Sequence, residues 1–123
     1  MTLEELYKEI GGDFDQAKKI LPLEKLIDKH IKKLPDNDIF PRLFNAGKAI
    51  DGNEIFESAH AIKGVCSNLG LNNFAGIASD LCEEFRPGNN RSLSDEQVKE
   101  KIDGFEALFE NAKKVIKEYS EGN

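Results

Sequence analysis

A chain of 123 residues is long enough for one domain with a single core and too short for two ordinary ones. With 33% charged and 39% hydrophobic residues, four prolines and no tryptophan, its composition is that of a helix-rich globule rather than a disordered tail. A net charge of −6 argues against a nucleic-acid partner. No apolar run approaches the roughly 20 residues of a membrane span, and the acidic start MTLEELYKE is unlike a leader peptide, so the expected compartment is the cytoplasm, where thiols stay reduced.

Strand patterns are almost absent, and helical spacing runs from end to end. Thr2 and Glu5 form a capping box for a first helix carrying Leu3, Leu6, Tyr7 and Ile10, which Gly11 and Gly12 stop. Asp13 caps a short second helix reaching about Leu21. Pro22 suits the first turn of a third, whose stripe is Leu23, Leu26, Ile27, His30, Ile31 and Leu34. Pro35 ends it. Asp36 or Asn37 opens the next segment, which carries Ile39, Phe40, Leu43, Phe44 and Ile50 and in which Pro41 must sit in the first turn or kink the helix.

A strong helix is then expected from about Glu54 to Leu69, closed by Gly70. Its successor places Leu71, Phe74, Ile77, Ala78, Leu81, Cys82 and Phe85 on one face. RPGNNRSLS reads as a loop. Ser94 with Gln97 caps a last helix whose apolar residues, from Val98 and Ile102 through Phe105 and Phe109 to Tyr119, step by four and three. The expected fold is all-α and a single domain over residues 1–123. An antiparallel four-helix bundle occupies about 22–119, with short N-terminal helices, residues 1–21, packed on it.

One helix departs from simple amphipathicity. On a wheel started at Ile55, Ala59, Ile62, Cys66 and Leu69 share a core sector of about 80°. Phe56, His60, Lys63, Gly64 and Ser67 fall together beside it, at about 80° to 180°. A neutral imidazole is a good nucleophile near neutral pH and can attack an acyl phosphate. A lysine one turn away offsets the incoming negative charge. A glycine inside a helix costs about 1 kcal/mol relative to alanine, so something gains from the missing side chain, here a partner docking beside the imidazole. Ser67 could hold the helix pair together or bond the phosphoryl group. Taken singly, His60 reads as a surface ring, Lys63 as a solvated charge and Gly64 as a helix–helix contact; the combination is what carries meaning.

The run AHAIKGVCSNLGL, with His60, Lys63, Gly64, Ser67 and Gly70, resembles the signature of histidine phosphotransfer (HPt) domains. That resemblance implies a four-helix bundle with the histidine exposed on one of two adjacent antiparallel helices. It implies that His60 is phosphorylated on Nε2, that Lys63 and Gly64 belong to the docking surface with Phe56 beside them, and that Gly70 makes the structural turn. It further implies a monomeric phosphocarrier without kinase or phosphatase machinery of its own. Its partners are receiver domains of response regulators or of a hybrid histidine kinase, and the magnesium sits on the receiver. The absence of a glycine-rich nucleotide loop agrees. Residues up to Leu21 match nothing general to the family.

The competing reading is a receiver-binding helical module that is never phosphorylated, but such a module has no reason to keep every motif residue. His30, on the apolar spacing of its own helix, reads as a partly buried ring. No metal-ligand spacing joins it to His60, and no cofactor of the chain's own is expected. Cys66 and Cys82 are offset by about 12 Å in an antiparallel hairpin and are expected as free, buried, apolar-facing thiols. Glu83, Glu84 and Arg86 read as a solvated face, and Asp13 and Asp15 as helix-start residues.

Overall fold

In the computed structural model, which describes residues 1–122, the elements are helical throughout. They are α1 (Leu3–Ile10), α2 (Phe14–Ile20), α3 (Glu24–Lys33), a 3-10 turn (Leu34–Asp36), α4 (Ile39–Ala49), α5 (Gly52–Asn68), α6 (Asn72–Glu84) and α7 (Asp95–Glu121). Both capping boxes form, Thr2 with Glu5 and Ser94 with Gln97, and Asp13 accepts the Gln16 amide at 3.0 Å. α5 begins two residues before the expected Glu54 because the Asp51 carboxylate accepts the Glu54 amide at 3.2 Å and sets Gly52 as its first residue.

The start of α3 differs from expectation. A residue preceding proline is forced out of the α region, and Leu21 is extended at φ −120°, ψ 90°. Pro22 therefore ends α2, and α3 waits until Glu24 with Leu23 as an extended, unbonded cap. Leu23, freed from the stripe, is 53% exposed. His30 is exposed as well, not partly buried. It stands on the rim of a cleft of about 560 Å³ between α3 and the end of α5.

α5 packs between α4 and α6, and α7 closes the bundle against α4 and α6. The α4–α7 seam is aromatic: Phe40 stacks on Phe109 at 4.1 Å between centroids, and Phe44 and Phe74 meet Phe105 edge-on. Gly47 lets α7 come in close, since a Cβ there would lie 2.7 Å from the Ile102 side chain. α7 also packs on α1 and α3, where the Tyr119 hydroxyl donates to Asp28.

The two N-terminal helices clamp the α5–α6 turn. Leu3, Leu6, Tyr7 and Ile10 are buried in the common core. The Tyr7 hydroxyl donates to the Leu69 carbonyl at 2.6 Å, the Asn73 amide to the Ile10 carbonyl at 3.0 Å, and the Asp13 N–H to the Gly70 carbonyl at 2.8 Å. Gly70 is required twice over. It adopts φ +68°, and a Cβ there would lie 2.5 Å from the Asp13 carbonyl oxygen and 2.8 Å from the Ala17 nitrogen.

Candidate functional site

His60 projects from the middle of α5 and is exposed, as the wheel requires of a residue off the core sector that Ile55, Ala59, Ile62 and Cys66 bury. Phe56, one turn earlier, lies nearly parallel to the imidazole at 6.2 Å and 23°. On the other side of the seam, the Cys82 sulfur of α6 stands 4.0 Å from His60 Nδ1, at the outer reach of a hydrogen bond to sulfur. With Nδ1 turned onto α6, Nε2 on the opposite edge of the ring is directed away from the seam.

Lys63 is half-buried one turn on from His60, and Ser67 is exposed a turn further. A Cβ at Gly64 would meet nothing within 4 Å. The glycine is therefore not a helix–helix contact; it leaves open space beside the imidazole. Gly70, ten residues beyond His60, makes the turn into α6 and fixes how the two helices face each other. The motif residues on α5 thus form one stripe, with Gly70 at its distal end.

Arg86 belongs to this site, contrary to its reading as part of a solvated face. It is half-buried, its guanidinium lies 5.4 Å over the Phe56 ring, and its Nη2 reaches the Cys82 sulfur at 4.0 Å. Glu83 holds it in place, accepting from Nη2 at 2.7 Å and Nε at 3.1 Å. Those bonds keep the Glu83 carboxyl below its ordinary range, with Lys63 adding a smaller pull. Glu84 is not solvated either. It is buried, and its carboxylate accepts the Ser92 and Leu93 amides at 2.8 and 2.7 Å and the Ser92 hydroxyl at 2.8 Å, tying down the loop before α7. Cys66 and Cys82 are both free and buried. Cys66 faces the core; Cys82 is packed in the same core cluster with its sulfur also against the imidazole edge, and burial pushes its thiol up against the opposing pull of Arg86.

Cys82 and Arg86 are what the linear pattern missed. Counting outward from Gly70 in an antiparallel hairpin, His60 lies ten residues before the turn and Cys82 twelve after it. That register would have found the contact.

Chemically, the arrangement offers an exposed imidazole edge, cations at Lys63 and Arg86, and clearance at Gly64. Among the described residues, no three His, Cys, Asp or Glu side chains are grouped to hold a metal ion and no helix is long and apolar enough to cross a membrane.

The family model described as the Hpt domain matches residues 2–114. The match takes in α1 and α2, which the motif-based resemblance left outside, and their clamp on the α5–α6 turn gives a physical reason for including them. No curated protein and no solved structure matches the chain.

Proposed function

The chain belongs to the Hpt domain family, and from that premise we propose that it is a cytoplasmic phosphocarrier in which His60 relays a phosphoryl group between receiver domains. Hpt domains act by histidine phosphotransfer in phosphorelays and work with the receiver domains of response regulators. The single observation that supports His60 as the acceptor is its ring. It is exposed on the motif stripe, engaged through Nδ1 by α6, and open at Nε2 beside a glycine with nothing around it.

In the transfer, the Nε2 lone pair attacks the phosphorus of an aspartyl phosphate on the receiver. The P–O bond to the acyl oxygen breaks, the aspartate leaves as a carboxylate, and the ring carries positive charge with its proton on Nδ1 until that proton is shed. Lys63 and Arg86 offset the negative charge of the transferred group. The magnesium that assists this chemistry belongs to the receiver. The reverse sequence delivers the phosphoryl group to a second receiver, so the chain needs no kinase or phosphatase groups and works as a monomer.

Incubation with a phosphorylated receiver should label the protein, and the label should be acid-labile and base-stable, as a phosphoramidate is. His60→Gln should abolish labelling, and His30→Gln should leave it. Labelling that survives in His60→Gln would refute the assignment. Binding of a receiver with no labelling of the wild type would instead identify a module that docks without being phosphorylated.

A further inference from the structure

His60 has one polar neighbour at its inner edge, the Cys82 sulfur, and that sulfur is itself pinned. It is buried, and Arg86 Nη2 approaches it at 4.0 Å while Glu83 fixes the guanidinium from behind. Phe56 lies nearly parallel to the imidazole, with the ring centroids 6.2 Å apart. For Nε2 to act as a nucleophile its lone pair must be free, so the single proton of the neutral ring must reside on Nδ1. An unrestrained histidine in water favours the other tautomer, with the proton on Nε2. Something at Nδ1 has to reverse that preference.

We propose that Cys82 is a positioning residue for the transfer: its sulfur accepts the Nδ1 proton of His60 and holds the imidazole in the tautomer that leaves the Nε2 lone pair outward. This rests on the reading of His60 as the acceptor, and it adds a group on α6 whose identity the motif on α5 does not specify. Sulfur is a weak, diffuse acceptor, suited to taking the His60 and Arg86 donors together. Because burial pushes the thiol up, the sulfur stays a neutral SH at physiological pH, and it holds the ring without charging it. The alternative polarity, with the thiol donating to Nδ1, would place the proton on Nε2 and block the nucleophile.

The test is imidazole nitrogen NMR on the full-length, unphosphorylated protein, at a pH high enough that both histidines are neutral. His30, exposed on the cleft rim, reports the solvent preference in the same sample. His60 is expected to carry its proton on Nδ1 while His30 carries it on Nε2. Cys82→Ala should return His60 to the His30 pattern. With a phosphorylated receiver, Cys82→Ala should slow transfer about three- to tenfold without changing receiver affinity, the scale of one modest hydrogen bond. A wild-type His60 with its proton on Nε2 overturns the proposal without recourse to any variant, as does an unchanged tautomer or unchanged transfer rate in Cys82→Ala. These outcomes are separable from failure of the parent reading, because the tautomer is read without any phosphate and labelling of His60 is read without any change at Cys82.

Discussion

Gly64 separates docking from folding, and the two demands pull in opposite directions. It sits inside α5, where glycine costs about 1 kcal/mol relative to alanine. Nothing within 4 Å awaits its missing side chain, so no overpacking penalty offsets the gain from a larger residue. Unfolding entropy of about 2.1 cal/mol/K per residue converts 1 kcal/mol in a chain of 123 residues into about 4 °C. Gly64→Ala should therefore raise the melting temperature by about 4 °C, and Gly64→Gln, with a lower helix propensity than alanine, by about 2 °C. Gly64→Gln should at the same time slow phosphotransfer by at least about tenfold, since one obstructed contact worth about 1.4 kcal/mol is enough. Alanine, smaller than glutamine by four heavy atoms, should transfer at a rate between those of the wild type and Gly64→Gln. Circular-dichroism melts and a single-turnover transfer assay on the same preparations read both quantities. A lower melting temperature in either variant, or transfer at the wild-type rate in Gly64→Gln, would refute the reasoning.

Gly70→Ala should behave oppositely. The left-handed backbone alone costs about 1–2 kcal/mol for a residue with a Cβ, and contact with the Asp13 carbonyl adds to it. A loss of about 3 kcal/mol or more by denaturant melting is expected, and one below about 1 kcal/mol would show that α2 moves aside without penalty. The Asp28 carboxyl is held below its usual range, chiefly by the Tyr119 hydroxyl bond, with Lys32 adding and burial opposing. Its contribution is therefore fully present above the ordinary carboxylate pKa of about 4 and is lost as pH falls through the depressed folded value. The gap in melting temperature between wild type and Asp28→Asn should hold from about pH 7 to about pH 4 and narrow from there to about pH 2, and a gap constant over that lower range would contradict the linkage.

Much of the fold is local chemistry and was legible as such. Thr2 with Glu5, Asp13, and Ser94 with Gln97 each satisfy orphan amides within three residues, so their sequence spacing is their geometry. The same holds for the α5 stripe, where His60, Lys63, Gly64 and Ser67 share a flank through helical spacing alone. Pro22 misled because it fits a first turn as well as a stop: it holds Leu21 extended and ends α2, but Leu23 is still extended after it, so α3 begins only at Glu24. What spacing cannot carry is register between helices. Arg86 and Glu84 look alike as charged residues around the end of α6, yet one folds over Phe56 and the other is buried under Ser92 and Leu93. Gly70 was visible as a turn, whereas its contact with Asp13 and Ala17 depends on where α2 comes to rest.

The clamp of α1 on the α5–α6 turn also has a consequence for how the chain matures on the ribosome. α1 leaves ahead of the other helices of the bundle, but the carbonyl that Tyr7 needs lies 62 residues downstream, and the α7 surface that α1 also covers emerges after all of them. At about 5–20 residues per second, α1 waits on the order of 5 to 20 seconds with Leu3, Leu6 and Ile10 unpartnered. An isolated eight-residue helix is too short to persist in water, so during that interval the segment is an apolar unfolded stretch. The residues of α1 that steady the finished domain are, in the nascent chain, an adhesive stretch, and the helical hairpin carrying His60 should form ahead of their docking.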